Sequence, residues 1–374
     1  MRRKQIGGRI YMVTCVETES LRTLCRCNLS RTVLTLLWLI GALGNGVMAQ
    51  PKPLRLYWID VEGGGATLIV VPTGESILVD AGDNLDRDAS RVHEVATKIA
   101  GLKQIDHFIA THWHADHYGG AIKLSSRIPI KKYYGSDPLP DSVPEDPQFS
   151  KLMPLYKAVT KGKSITLQPG DTLPIGQAGK EPKLEVRVLA ANRKVISAGR
   201  PPTPNPICRE VASYAVDPTD NSKSIVLLFQ YARFTFLDGG DLTKAMEGQL
   251  ICPNNLIGTV SLFQINHHGL DLSNSPELIH SIRPRVVVVN NGPQKGAEPK
   301  TMKALFSTPS IETVWQIHRN LQPGAQINAA QEFIANHEAA EGEAEFIQAS
   351  ASPDGGFWVQ IGSRGTRKQY RPTY

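Results

Sequence analysis

The sequence predicts an α/β fold of two facing mixed sheets with helices on the outside, a four-layer sandwich. Three observations point there. Strand-like blocks alternate with single helical segments along the chain. The first three blocks are joined by tight turns, so the chain starts antiparallel. Several blocks end in polar residues with ligand chemistry, and α/β sheets place their chemistry at the carboxyl ends of strands.

Residues 54–61 alternate like a strand, 62–65 (Glu-Gly-Gly-Gly) turn, 66–71 form a second strand, and 76–80 a third that ends in Asp80-Ala81-Gly82. Asp86 or Asp88 suits the cap of a helix whose apolar face is Ala89, Val92, Val95, Ala96 and Ile99, with Gly101 as its stop. The run 105–111 is a buried strand feeding Thr111-His112-Trp113-His114-Ala115-Asp116-His117, and Gly119 to Leu124 reads as the first turn of the next helix. A short strand at 128–135 follows.

Residues 136–220 are the least regular part and read as an insertion, with a helix near 148–161 and a strand at 184–189. Prolines at 201, 202, 204 and 206 forbid regular structure there. A hairpin at 224–237 ends in Asp238-Gly239-Gly240-Asp241 and is followed by a helix from about 242. Strands at 260–265, ending in Asn266-His267-His268-Gly269, and at 285–289 lead to a helix near 299–306 and a strand at 312–317. A C-terminal extension, about 321–374, holds one more hairpin over 342–374. No internal repeat recurs at a fixed period.

The first 49 residues read as a leader. Its hydrophobic stretch, about 33–43, follows Arg31, and Val47 and Ala49 fit the recognition positions of a signal cut after Ala49. The run falls short of the ~20 residues of a membrane span, so the mature chain, 50–374, is expected to be a single exported domain with no stable span. The leader carries seven Lys/Arg and two acids, +5 of the chain's +6. The remainder is nearly neutral, and global charge gives no argument for nucleic acid. Of five cysteines only Cys208 and Cys252 stay with the mature chain, and in an oxidising compartment those two could pair.

Three histidines and an aspartate within six positions, on a strand-to-helix loop, are a metal-ligand pattern. Hydrolases need neutral imidazoles and carboxylates around an open coordination position, where a metal lowers the pKa of its bound water and polarises the scissile group. His112 and His114 can approach one metal from the same side of an extended segment, while Asp116 and His117 face a second.

The segment His112-x-His114-x-Asp116-His117 resembles the hallmark of the metallo-β-lactamase superfamily. Asp80-Ala81-Gly82 resembles its first motif and Asp241 its bridging aspartate. The closer likeness is to the soluble hydrolase domain of ComEC-type competence proteins. Residues 60–66, the Asn221-Ser222-x-Ser224 block, Gly240-Asp241-Leu242 and His267-His268-Gly269 resemble that domain's motifs in order, over roughly 54–320. The resemblance implies an αββα sandwich and an exported, metal-dependent hydrolase, phosphodiester-cleaving through a metal-bound hydroxide. It implies one or two zinc ions, with manganese as an alternative. His112 and His114 would hold the first metal, and Asp116, His117 and His267 the second. Asp241 would bridge, with Asp116 as proton acceptor. Asp80 would orient a ligand histidine, and His268 and Asn221 would contact ligands or substrate.

Two departures bear on this. No histidine occurs between His117 and His267, so the third imidazole that lactonase- and glyoxalase-type enzymes give the first metal is missing. The turn 62–65 lacks the family's Gln and Asp, and Leu270 stands where the family has Ser. Other hydrolytic substrates (a lactone, thioester, β-lactam or other ester) and a non-catalytic metal-binding module are therefore competing readings. Nucleic acid and small-molecule substrates both stay open. His318 reads as an exposed residue or a neighbour of the site. His93, His107, His280 and His337 read as structural or surface.

Overall fold

The structure, a computed structural model, describes residues 52–176, 182–197, 204–209, 214–322, 327–338 and 344–372. The expected signal segment and its cut lie outside these residues. Strands β1 (Leu54–Trp58), β2 (Thr67–Val70) and β3 (Ser76–Val79) open the chain as an antiparallel meander. Helix α1 (Asp86–Glu94), continued by a wide turn over Val95–Ile99, crosses to β4 (Ile105–Ile109), which pairs parallel with β3. Helix α2 (Ala115–Leu124) leads to β5 (Ile130–Gly135), and α3 (Phe149–Val159) to the short β6 (Ile165–Thr166).

The second half begins with β7 (Leu184–Ala191) and β8 (Lys194–Val195), then the hairpin β9 (Val226–Tyr231) and β10 (Phe234–Asp238). Helix α4 (Lys244–Ile251), β11 (Leu262–Gln264), α5 (Pro276–Ile282), β12 (Val286–Val289), α6 (Pro299–Ser307), β13 (Thr313–His318) and β14 (Ile334–Asn336) follow, with β10 to β14 all parallel. The tail adds β15 (Ile347–Ala351), β16 (Phe357–Ile361) and β17 (Arg367–Tyr370).

Two sheets result, β17-β16-β15-β1-β2-β3-β4-β5-β6 and β14-β13-β12-β11-β10-β9-β7-β8. Each is antiparallel on one side and parallel on the other. The two faces of each strand explain the layers. Leu54, Leu56 and Trp58 of β1 join Val186, Phe229, Val286 and Val288 in the core between the sheets. Tyr57, Leu68 and Phe108 turn outward to Val92, Leu124 and Tyr156 of α1, α2 and α3. Val287 and Val289 turn outward to Leu250, Ile279 and Leu305 of α4, α5 and α6. A strand covered on both faces carries no polar alternation, which is why 286–289 is an unbroken valine run. This is the αββα sandwich the sequence predicts.

Four local expectations change. Helix α2 starts at Ala115, not at Gly119, because Asp146 accepts the Ala115 N–H (2.7 Å) and satisfies the helix start from a distant loop. Neither Asp86 nor Asp88 caps α1, whose N-cap is Leu85; Asp88 instead accepts the Asp83 N–H at 2.9 Å. Residues 136–220 are not simply irregular, since β7 pairs along its length with β9 inside the second sheet. The tail is three strands rather than a lone hairpin, and β15 pairs with β1 to extend the first sheet. Among the described residues no helix is long and apolar enough to cross a membrane. Cys208 and Cys252 form a disulfide, with Cα atoms 5.7 Å apart, that ties the turn Pro206–Arg209 to the end of α4.

Candidate metal centre

The loops leaving the parallel strands converge at one end of the sandwich. From the first sheet come Asp80 after β3 and residues 111–117 after β4. From the second come Asp241 after β10, His267 and His268 after β11, and residues 290–298 after β12.

Asp80 organises the first-sheet side. Its Oδ1 accepts the Thr111 N–H at 2.8 Å, and its Oδ2 accepts the Thr111 hydroxyl at 2.8 Å and lies 2.7 Å from His117 Nδ1. These bonds fix the His117 ring with Nε2 aimed away from Asp80. The Gly-rich turn 62–65 closes over them. A Cβ on Gly64 would fall on the Asp116 carbonyl oxygen, and one on Gly65 would lie 2.9 Å from both Asp80 Oδ2 and His117 Nδ1. A side chain at either position would have to displace these groups.

The turn Asp220–Lys223 braces the same loop from the other sheet. Trp113 N–H donates to Asp220 Oδ2 (2.7 Å), Ile225 N–H to the Thr111 carbonyl (3.0 Å), and Asp241 N–H to Ser224 Oγ (3.1 Å). Asn221 is buried in this turn with its Oδ1 free of any hydrogen bond.

The donor atoms then meet. His117 Nε2 is 3.3 Å from Asp241 Oδ2 and 3.7 Å from Asp116 Oδ2. His268 Nε2 is 3.7 Å from Asp116 Oδ2 and 3.4 Å from Asp241 Oδ1. Ligands about 2.0–2.2 Å from a tetrahedral ion stand roughly 3.3–3.6 Å from one another, and Asp116, His117 and His268 form one group compact enough to hold a divalent ion. His117 Nε2 and His268 Nε2 are both buried with no hydrogen-bond partner, and an unsatisfied buried imidazole nitrogen is costly unless a cation takes it. A second grouping, His112, His117 and Asp241, is also compact enough to hold an ion.

His268, rather than the expected His267, joins Asp116 and His117. Both histidines adopt left-handed backbone angles (φ 51° and 54°), so the turn brings both rings inward instead of alternating them. His267 Nε2 lies 3.4 Å from Asp241 Oδ2 and its Nδ1 3.3 Å from Ser273 Oγ. His114 stands at the rim, its Nδ1 3.0 Å from His112 Nε2 and its Nε2 3.4 Å from Glu145. His318 is neither exposed nor at the centre. It is fully buried, with Nε2 2.9 Å from Asp60 Oδ2, which also binds Arg91 at 2.8 Å.

Electrostatics fit a cation. Burial lowers His112 well below the usual histidine range, helped by His117 and His114, and burial also lowers His268. Both are thereby neutral, as ligands must be. Burial would lower His117 too, but the carboxylates of Asp241, Asp80 and Asp116 outweigh it and raise it well above its ordinary value. Those carboxylates favour positive charge at this point. Burial raises the Asp116 carboxyl, but Lys295, His117 and His268 outweigh it and hold it far below the ordinary range.

Lys295 was invisible in the sequence. It sits in a Gly- and Pro-containing loop, and its Nζ lies 2.5 Å from Asp116 Oδ2. Above the centre opens a cleft of about 370 Å³ lined by Glu62, Arg87, His114, Asp116, Glu145 and Lys295 among others.

A family model described as the Metallo-beta-lactamase superfamily matches residues 60–199. ComE operon protein 3 of Bacillus subtilis (strain 168) is 24% identical over 251 residues, covering 63% of this chain and 28% of that protein. Among solved structures, a mutant of the CmlA beta-hydroxylase has 16% identity and a TM-score of 0.40, covering 78% of this chain and 59% of that one. A diphosphatase of the PhnP family has 10% identity and a TM-score of 0.35, covering 64% and 87%. A subclass B3 metallo-beta-lactamase from a soil metagenome library has 13% identity and a TM-score of 0.32, covering 70% and 75%.

Proposed function

We propose that this chain, matched over residues 60–199 by the Metallo-beta-lactamase superfamily model, is an exported zinc-dependent hydrolase that cleaves phosphodiesters. The carrying observation is a pair of donor groups that share His117, one of Asp116, His117 and His268 and one of His112, His117 and Asp241, beside a cleft lined by Asp116 and His114. When bound there, a divalent metal lowers the pKa of a coordinated water toward neutrality and polarises the scissile group.

The chain's own residues do the rest. Asp116, His117 and His268, or His112, His117 and Asp241, would hold the ion, with His114 beside His112. Asp80 fixes the tautomer of His117 by accepting at Nδ1, which leaves Nε2 as the donor to metal. Lys295, His117 and His268 hold Asp116 ionised, the form that suits a cation; its role as proton acceptor rests on the resemblance. Burial of His112 and His268 keeps bulk water from the floor while the cleft above stays open to substrate.

Phosphodiester cleavage is what the resemblance of the motifs to the ComEC-type hydrolase domain implies, and the 24% identity to ComE operon protein 3 over 251 residues supports that resemblance. Export is supported by the Cys208–Cys252 disulfide, which persists in oxidising compartments. The test is an assay of the purified chain for zinc and manganese content and for cleavage of bis-p-nitrophenyl phosphate, DNA and a β-lactam. Metal-dependent phosphodiester cleavage that disappears in Asp241→Ala is the expected result. Cleavage of the β-lactam alone would replace the substrate class, and bound zinc with no hydrolysis of any substrate would make the centre a binding module.

A further inference from the structure

Lys295 is a charged group at the floor of the cleft to which the metal chemistry gives no task. Its position is built. The turn that carries it is closed by the Gly292 N–H on the Lys295 carbonyl at 2.9 Å. Its stem passes over Gly63, where an added Cβ would lie 3.0 Å from Lys295 Cβ and 3.2 Å from Cδ. The next residues are pinned to the histidine turn by the Ala297 N–H on the His268 carbonyl at 2.9 Å. These contacts place the backbone and stem of Lys295 beside Asp116 and leave its ammonium free to turn.

The other charges in the cleft are committed. Arg87 is held by Glu62 at 2.6 Å and Asp88 at 2.7 Å. Asp146 accepts the Ala115 N–H and Glu145 accepts the Asp220 N–H, so the rim stays negative. An anion entering the cleft meets the carboxylates of Glu62, Asp83, Asp116, Glu145 and Asp146 and the ammonium of Lys295. That ammonium's partner is Asp116 Oδ2, the same oxygen that faces His117 and His268. A divalent ion in that cluster competes for the oxygen's electron pairs and weakens the Lys295 pair.

We propose that Lys295 is the anion receptor of the cleft: metal loading draws Asp116 toward the ion and turns the ammonium to a single phosphoryl-type group of the substrate. Metal and anion then reinforce one another's binding, and by linkage the effect is reciprocal. The acidic rim limits this recognition to one compact anionic group rather than a tract of phosphates. The inference rests on the metal-hydrolase reading above, but its test does not need turnover.

Inorganic phosphate is titrated calorimetrically into the purified full chain, zinc-loaded and metal-free, for wild type, Lys295→Met and Lys295→Arg, with zinc content measured in each. A charge-assisted contact coupled to metal predicts phosphate binding at least roughly tenfold tighter with zinc than without in wild type. Lys295→Met keeps its zinc and loses that gain, while Lys295→Arg, which keeps the charge, retains most of it. Equal phosphate affinity in Lys295→Met and wild type overturns the proposal. So does equal affinity with and without zinc, or no phosphate binding by wild type. Loss of zinc in Lys295→Met, with rescue in Lys295→Arg, would make Lys295 a support of the metal shell instead and also overturns it. A wild type that binds phosphate through Lys295 yet cleaves no phosphodiester would sink the proposed function and leave this inference standing.

Discussion

The two sheets furnish the centre in opposite ways. The first sheet delivers its donors as one contiguous block, His112 to His117, stiffened by Asp80 and Thr111. The second delivers separate residues from three loops, Asp241, the His267-His268 pair and Lys295. Each compact donor group takes two residues from the first sheet and one from the second: His112 and His117 with Asp241, Asp116 and His117 with His268. His114 stands outside both, against Glu145. A dense ligand motif therefore does not complete a metal position by itself; each position is closed by a residue of the other sheet.

The largest break in this comparison is Asp241→Ala, because its two oxygens face His117 and His268 from the shared position. Hydrolysis should fall at least roughly a hundredfold, the kinetic equivalent of the several kcal/mol a catalytic metal supplies. Zinc content, read in the same preparation, should drop below one ion per chain.

A sharper contrast comes from His268→Ala against His114→Ala. The first removes a donor of the group Asp116, His117 and His268, so zinc is lost. The second removes a residue outside both donor groups, where His114 faces Glu145, and zinc stays. Native mass spectrometry of the two variants reads this directly, and an equal loss in both would erase the distinction between the positions.

Next in size is Asp80→Asn. The amide cannot accept from Thr111 and His117 as the carboxylate does, and loss of such a support costs about 10–100-fold in metal affinity or activity. Competition with a zinc chelator measures it.

The smallest effect on the centre is expected from Cys208→Ser/Cys252→Ser. The bridge spans 44 residues and braces the helix that follows Asp241. Its loss should cost about 2–4 kcal/mol in urea unfolding, with zinc content unchanged. A change in zinc content would mean that the second-sheet loops depend on the bridge for their placement.

The same contrast governs what could be read in the sequence. The valine run 286–289 and the alternation in 54–61 announce strands because burial on one or both faces is written in each residue. The block 112–117 is legible because its donors are neighbours in the chain. The choice of His268 over His267 is not, since it turns on two successive left-handed backbone angles in non-glycine residues. The start of α2 was hidden because its cap, Asp146, lies 31 residues further on. Lys295 carried no motif, and its role exists only because three loops fold onto one oxygen. His318 was misplaced for a related reason: its partner, Asp60, lies on the other sheet.

A zinc titration of the metal-free chain, followed to saturation, tests the dependence on both sheets most directly. Closure by second-sheet donors predicts that zinc affinity falls at least roughly tenfold in His268→Ala and in Asp241→Ala. Zinc bound with unchanged affinity in both variants would contradict it.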